Sequence, residues 1–180
     1  MAWTNPETAV AGEVLTAAYL NTNVRDNLLN LRALANVQSV SKTDTFSTSS
    51  TSYTDVTGLS VSITPTANTS KVLVMGNVYC GPVPATSNFY GRLMRNSTAI
   101  SVGAAAGSRD QVTFMFHDSG NQGVASFVHL DSPATISAVT YKVQVRCLAS
   151  TIHVNRAATD TDAAGFARAA SNIVVMEIPA

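Results

Sequence analysis

Tyr141-Lys142-Val143-Gln144-Val145-Arg146-Cys147 decides the fold class of this chain. Tyr141, Val143, Val145 and Cys147 alternate with Lys142, Gln144 and Arg146, the period of two that sets one face of a strand in a core and the other in water. Other segments read the same way. Leu59, Val61 and Ile63 alternate with Ser60, Ser62 and Thr64 until Pro65 ends the run. Val37 to Phe46 and Tyr53 to Val56 flank Ser47-Thr48-Ser49-Ser50-Thr51-Ser52, whose hydroxyls favour a loop by bonding nearby backbone. Val112 to Phe116 and Val124 to Leu130 flank a turn at Asp118-Ser119-Gly120-Asn121, and Ile152 to Val154 and Ile173 to Ile178 complete the C-terminal part.

Lys71 to Cys80 is an almost unbroken apolar run, which predicts an element covered on both faces, by core on one side and by another sheet or a subunit on the other. Gly81-Pro82-Val83-Pro84 breaks it, and Phe89 to Arg95 resumes as a strand. Ser101 to Arg109 and Ala157 to Ala170, rich in Gly and Ala, read as loops. Roughly nine or ten strands separated by turn signals predict a mainly β protein whose antiparallel sandwich is better read as a jelly roll than as a propeller or a parallel sheet.

Ahead of the strands, residues 14 to 35 are the one convincing helix. Thr16 is placed to cap it, and Gly12 and Pro6 keep earlier residues out. Counting by sevens puts Ala17, Val24 and Leu31 at one seam position and Leu20, Asn27 and Leu34 at the other, a short coiled-coil pattern with one polar member. A helix of this length is marginal alone, so it must dock on copies of itself, on another surface, or on its own β domain. Leu28 and Leu29 widen the apolar stripe and suit the last case. Residues 1 to 13 read as an extended arm, with Trp3 as an anchor in a neighbouring protein or as a ring laid on the helix. The chain thus divides into an arm and attachment helix, 1–36, and a sandwich, 37–180.

Charged residues make up 12% of the chain and the net charge is zero, which leaves no basic field for nucleic acid or an anionic membrane. A surface built from hydroxyls, amides and small apolar groups suits a protein that associates with its own copies. Neither a leader peptide nor an apolar run long enough to span a bilayer is visible. Cys80 and Cys147 lie far apart in strand-like runs without metal spacing and read as buried free thiols.

No nucleophile elbow, zinc-binding His pair, phosphate loop or dinucleotide fingerprint occurs, so no enzyme, cofactor or metal is expected. His117, His129 and His153 fit no ligand spacing and read as ordinary surface histidines. Asp160-Thr161-Asp162 has alternate oxygen ligands but lacks the glycine and distal glutamate of a helix-loop-helix calcium site, and reads as a loop whose carboxylates bond local backbone. Tyr53, Phe89, Tyr90 and Phe166, in or beside predicted loops, are the candidates for stacking on a glycan.

Trp3, then Val10-Ala11-Gly12-Glu13-Val14-Leu15-Thr16-Ala17-Ala18, then Leu20-Asn21-Thr22-Asn23-Val24-Arg25-Asp26-Asn27-Leu28 resembles the N-terminal segment of many tailed-bacteriophage virion proteins, where it precedes a β-rich surface domain. Ser52 to Leu59, Asp131 to Thr135 and Asn155 to Asp162 resemble the β domains that follow. The resemblance implies a structural virion protein: a homotrimeric fibre or knob attached to other virion proteins through residues 1–36, with Trp3, Leu20, Val24, Asn27, Leu31 and Leu34 at the attachment. A capsid decoration protein and a host-glycan-binding module are the alternatives.

Overall fold

The computed structural model describes residues 12, 14–28, 31, 36–81, 88–117 and 122–179. Trp3 and Leu34 lie outside them, as do the Asp118–Asn121 turn and Leu29. The Thr16 hydroxyl accepts from the Tyr19 N–H at 3.1 Å, capping α1 (Ala17–Leu20) as expected. A π-helical turn, Asn21–Arg25, then departs from the expected continuous helix, and the Asp26 N–H reaches back to the Asn21 carbonyl. One extra residue in a turn rotates everything after it by about 100°. The strict heptad seam is therefore broken: Asn27, its polar member, is buried, while Leu20, Val24 and Leu31 are 45%, 46% and 51% exposed. Among the described residues, Leu20, Val24, Leu28 and Leu31 are not covered by the sandwich.

The remaining elements form two antiparallel sheets. In the first, β1 (Val37–Lys42) and β2 (Phe46–Thr48) share one edge lane and β8 (Gly123–Asp131) is the opposite edge. Between them run β10 (Ile152–Val154) with β11 (Ser171–Ile178) in one lane, then β4 (Lys71–Cys80). The second sheet runs β3 (Thr54–Ile63), β9 (Val139–Cys147), β5 (Phe89–Arg95), then β6 (Thr98–Ile100) with β7 (Phe114–Phe116) in a shared edge lane. Numbering the lanes in chain order gives 1-8-3-6 and 2-7-4-5, the arrangement of two interlocked Greek keys that defines a jelly roll.

The inward residues of both sheets make one core. Val56, Leu59, Val72, Val74, Phe89, Leu93, Val143, Val145, Ile173 and Val175 are all essentially water-free. Tyr53 to Val56 and Leu59 to Ile63, expected as separate strands, are one strand, β3, with a register irregularity between Asp55 and Ser60. Gly58, at φ +82°, carries it, a conformation that a side chain would strain. Gly91 has a different task, since a Cβ there would overlap the Phe114 ring packed against it. Cys80 and Cys147 are buried free thiols, and burial pushes the Cys80 thiol up to about 12.

Two lanes of the first sheet are interrupted at the same height. β1 yields to β2 across residues 43–45, and β10 yields to β11 across an excursion, 155–170. Asn155, fully buried at φ +61°, joins the gaps. Its Nδ2 donates to the carbonyls of Lys42 at 2.8 Å and Asp44 at 3.0 Å, and its Oδ1 accepts from the Ser171 hydroxyl at 2.6 Å.

Strand direction sorts the connections into two ends. The β3–β4, β5–β6 and β8–β9 links lie at one end, the base, where the chain also enters at Asn36. The β2–β3, β4–β5, β7–β8 and β9–β10 links lie at the other, the distal end. Two buried carboxylates lock the base. Glu177 accepts from Asn36 Nδ2 at 2.7 Å, from the Thr66 N–H at 2.8 Å and from the Thr66 hydroxyl at 2.6 Å. Asp131, at the end of β8, accepts from Arg95 Nη1 at 2.9 Å and from the Tyr141 hydroxyl at 2.7 Å, and so ties the first sheet to the second.

Candidate functional site

The outward faces of the two sheets differ in kind. Register places Val37, Met176, Leu73 and Leu130 in one row across all four lanes of the first sheet, and Ser39, Val174, Met75 and Val128 in the next. Asn172, Asn77 and Ser126 follow, then Tyr79 and Val124. Within these rows there is no charge. Val128 is 68% exposed, and Val37, Val124 and Leu130 are exposed too. Of the run Lys71 to Cys80, Val72, Val74 and Val78 are buried in the core, whereas Leu73, Met75 and Tyr79 on the other face are half-buried, so of the two covers expected there a second sheet is absent among the described residues. Nothing among the described residues lies over that side as a second layer.

The second sheet instead carries long polar side chains. Lys142 Nζ and Gln144 Nε2 each donate to Asp55 at 2.7 Å, and the Lys142 hydrogen bond outweighs burial to hold the Asp55 carboxyl below its usual range. Arg92 donates through Nε and Nη2 to Gln144 Oε1 at 3.0 and 2.8 Å. Its guanidinium lies 3.9 Å from the centre of the Tyr53 ring, a close cation–π contact. Arg146 sits beside both tyrosines, 5.4 Å from the Tyr53 ring centre and 5.5 Å from that of Tyr90. It donates to the Thr51 carbonyl at 2.9 Å and pairs with Asp110, which the 101–113 loop brings over the sheet. Asn88 donates to the Tyr90 hydroxyl at 2.9 Å. Tyr53, Asn88, Tyr90 and Arg146 lie toward the distal end, with Arg92 and Gln144 near mid-strand.

Of the four aromatic candidates, the structure brings Tyr53 and Tyr90 together around Arg146. Phe89 is removed from the set, because it faces the core with no exposure and packs on Phe114 at 6.4 Å between ring centres. The period of two forced this: Tyr90 and Arg92 share the outward face, so Phe89 points in. Phe166 belongs elsewhere, on the 155–170 excursion, where it lines a shallow groove of about 240 Å³ with Asp160, Asp162 and Arg168. The Asp160 carboxylate there pairs with Arg168 at 2.6 Å and with Arg156 at 3.4 Å, rather than with local backbone as expected. His153 is buried, not a surface residue, and burial together with Arg156 holds its imidazole below the ordinary range.

Arg92, Arg146 and Asp110 were not singled out in the sequence. The alternation of 141–147 and 89–95 already put both arginines outward, but only folding brings Asp110 to Arg146. Among the described residues no three His, Cys, Asp or Glu side chains converge as a metal site, and no helix is long and apolar enough to cross a membrane.

No family model matches the chain, and no curated protein does. Among solved structures the chain is similar to the structure of the infectious bursal disease virus Gx strain, at 14% identity and a TM-score of 0.38, over 79% of this chain and 38% of that one. It is also similar to the enzymatically active domain of bacteriophage CBA120 tailspike protein 4, at 9% identity and a TM-score of 0.28, over 69% of this chain and 19% of that one. The chain spans less than half the length of either.

Proposed function

We propose that this chain is a non-enzymatic structural protein of a tailed-phage virion, a homotrimeric surface fibre or knob held through residues 1–36 with the jelly roll projecting from its base. The virion reading is supported by the resemblance of residues 3–28 to phage attachment segments. Self-association is carried by one observation, the apolar rows on the outward face of the first sheet, whose one charge is Lys71 at the base end.

Four lanes about 4.8 Å apart and about 25 Å of strand give roughly 450 Å² in projection. That is the size of the largest apolar patch on an ordinary monomer, about 300–600 Å² and often functional, and about half of the 800 Å² that each partner contributes to a standard interface. The face needs help, and the exposed Leu20, Val24, Leu28 and Leu31 of the N-terminal segment supply apolar surface of the same kind. A second copy of the chain fits this face because it brings neutral, apolar surface to neutral, apolar surface. The sandwich end opposite Asn36 is left free to face outward.

Antibody-labelled electron microscopy on intact particles tests the assignment. Label at the tail fits a fibre or knob, label over the shell fits a decoration protein, and particles without label end the virion reading. Light scattering on the full chain should give a trimer, and Val128→Lys with Leu130→Lys should shift it toward monomer. A monomeric parent at micromolar concentration would overturn the trimer.

A further inference from the structure

The Tyr53–Arg92–Arg146 cluster has more donors than acceptors. Arg146 Nε is buried without a hydrogen-bond partner among the described residues, and the Tyr53 hydroxyl, buried beside it, meets only the Arg146 guanidinium. Burial and the nearby Asp110 carboxylate raise the Tyr53 phenol above its ordinary value against the pull of Arg146 and Arg92, so it remains a donor at neutral pH. Arg92 Nη1 donates to nothing among the described residues, and the only acceptor its other nitrogens meet is the neutral Gln144 amide. Native proteins rarely leave buried donors unpaired, because each costs about 1–3 kcal/mol. Arg92, with no carboxylate beside it and its Nη1 unpaired among the described residues, is the group of this cluster that an acceptor from outside can meet.

We infer that this distal cluster binds the carboxylate of an acidic saccharide, received by the free edge of Arg92 with Tyr53 and Arg146 beside it. Charge selects a monoanion. Arg92 and Arg146 face one carboxylate, Asp110, while Lys142 is already matched by Asp55, which leaves a single positive charge. A planar carboxylate fits the Nη1–Nη2 edge of a guanidinium. The surroundings select a sugar over a bare acid: the Tyr90 ring offers a surface for C–H faces, and the Tyr90 hydroxyl and Asn88 amide offer partners for sugar hydroxyls.

The test is titration of the full-length protein with trigalacturonate, with its methyl ester as the uncharged twin and acetate as the bare carboxylate. Nuclear magnetic resonance reads the Arg92 Nε and Tyr53 ring signals. Saturable binding should shift both signals and weaken as salt rises. It should fall about tenfold or more for the ester, for acetate and for Arg92→Gln, the loss expected when a charge-assisted hydrogen bond is removed. Arg92→Lys keeps the charge but not the fork or the ring stack, and should also weaken binding while melting near the parent temperature. No saturable shift at millimolar trigalacturonate, shifts confined to other residues, or undiminished binding by both Arg92 variants would overturn the site. Acetate binding as tightly as trigalacturonate would overturn the saccharide.

Discussion

Glu177 shows how one side chain fixes the junction between the N-terminal segment and the sandwich. Burial alone would raise its carboxyl, but hydrogen bonding by Ser70, Thr66 and Asn36 favours the charged form and holds it below the ordinary 4.5. A carboxyl with a depressed folded value stabilises the fold fully above its unfolded value, and that contribution is lost as pH falls through the folded one. The loss from Glu177 therefore begins near pH 4.5 and continues below it. Glu177→Gln should cost about 1–3 kcal/mol at neutral pH in denaturant unfolding, since charged hydrogen bonds are exchanged for weaker ones. The gap between variant and parent should close as the medium is acidified below pH 4.5. A gap that stays constant with pH would mean that the charge contributes nothing.

At the scale of elements, the paired breaks in the first sheet are the least expected feature. An excursion of this length is longer than most connections in compact domains and is usually retained for function. Its neck is closed by Asn155, whose amide does the work of missing sheet hydrogen bonds for the strands on either side. Asn155→Gly preserves access to φ +61° but removes all three bonds, and should destabilise by about 2–3 kcal/mol at roughly 1 kcal/mol each. Limited proteolysis should then cut first within 156–170. Unchanged stability would show that the excursion closes without the amide. Asn155 was legible as part of a resemblance, but its role was not, because its partners at Lys42 and Asp44 lie more than a hundred residues away.

For the molecule as a whole, the arrangement separates two tasks. Among the described residues the core is assembled between Val40 and Val175 and includes none from the N-terminal helix. A chain beginning at Asn36 should therefore remain folded, with a calorimetric Tm within a few degrees of the parent, as expected when only peripheral contacts are removed. Its association should weaken, because it keeps the apolar sheet face but loses Leu20, Val24, Leu28 and Leu31. Collapse of the shortened chain would mean that the helix is part of the fold. Equal association would place the whole interface on the sheet.

Local periodicity and backbone chemistry were enough to read the fold class, the Thr16 cap, the buried thiols and the inward or outward sense of residues 59–64 and 141–147 from the sequence. It even contained the outward sense of Tyr90 and Arg92 that removes Phe89 from the surface. The lane order, the pairing of Asp131 with Arg95 and Tyr141, the Asn155 bridge and the meeting of Tyr53, Arg92, Arg146 and Asp110 came with the folded arrangement. Those depend on which distant strands become neighbours, which a period of two cannot encode. The apolar face arose likewise: Val37, Leu73, Leu130 and Met176 are unremarkable in four separate segments, and become one surface only when register sets them side by side.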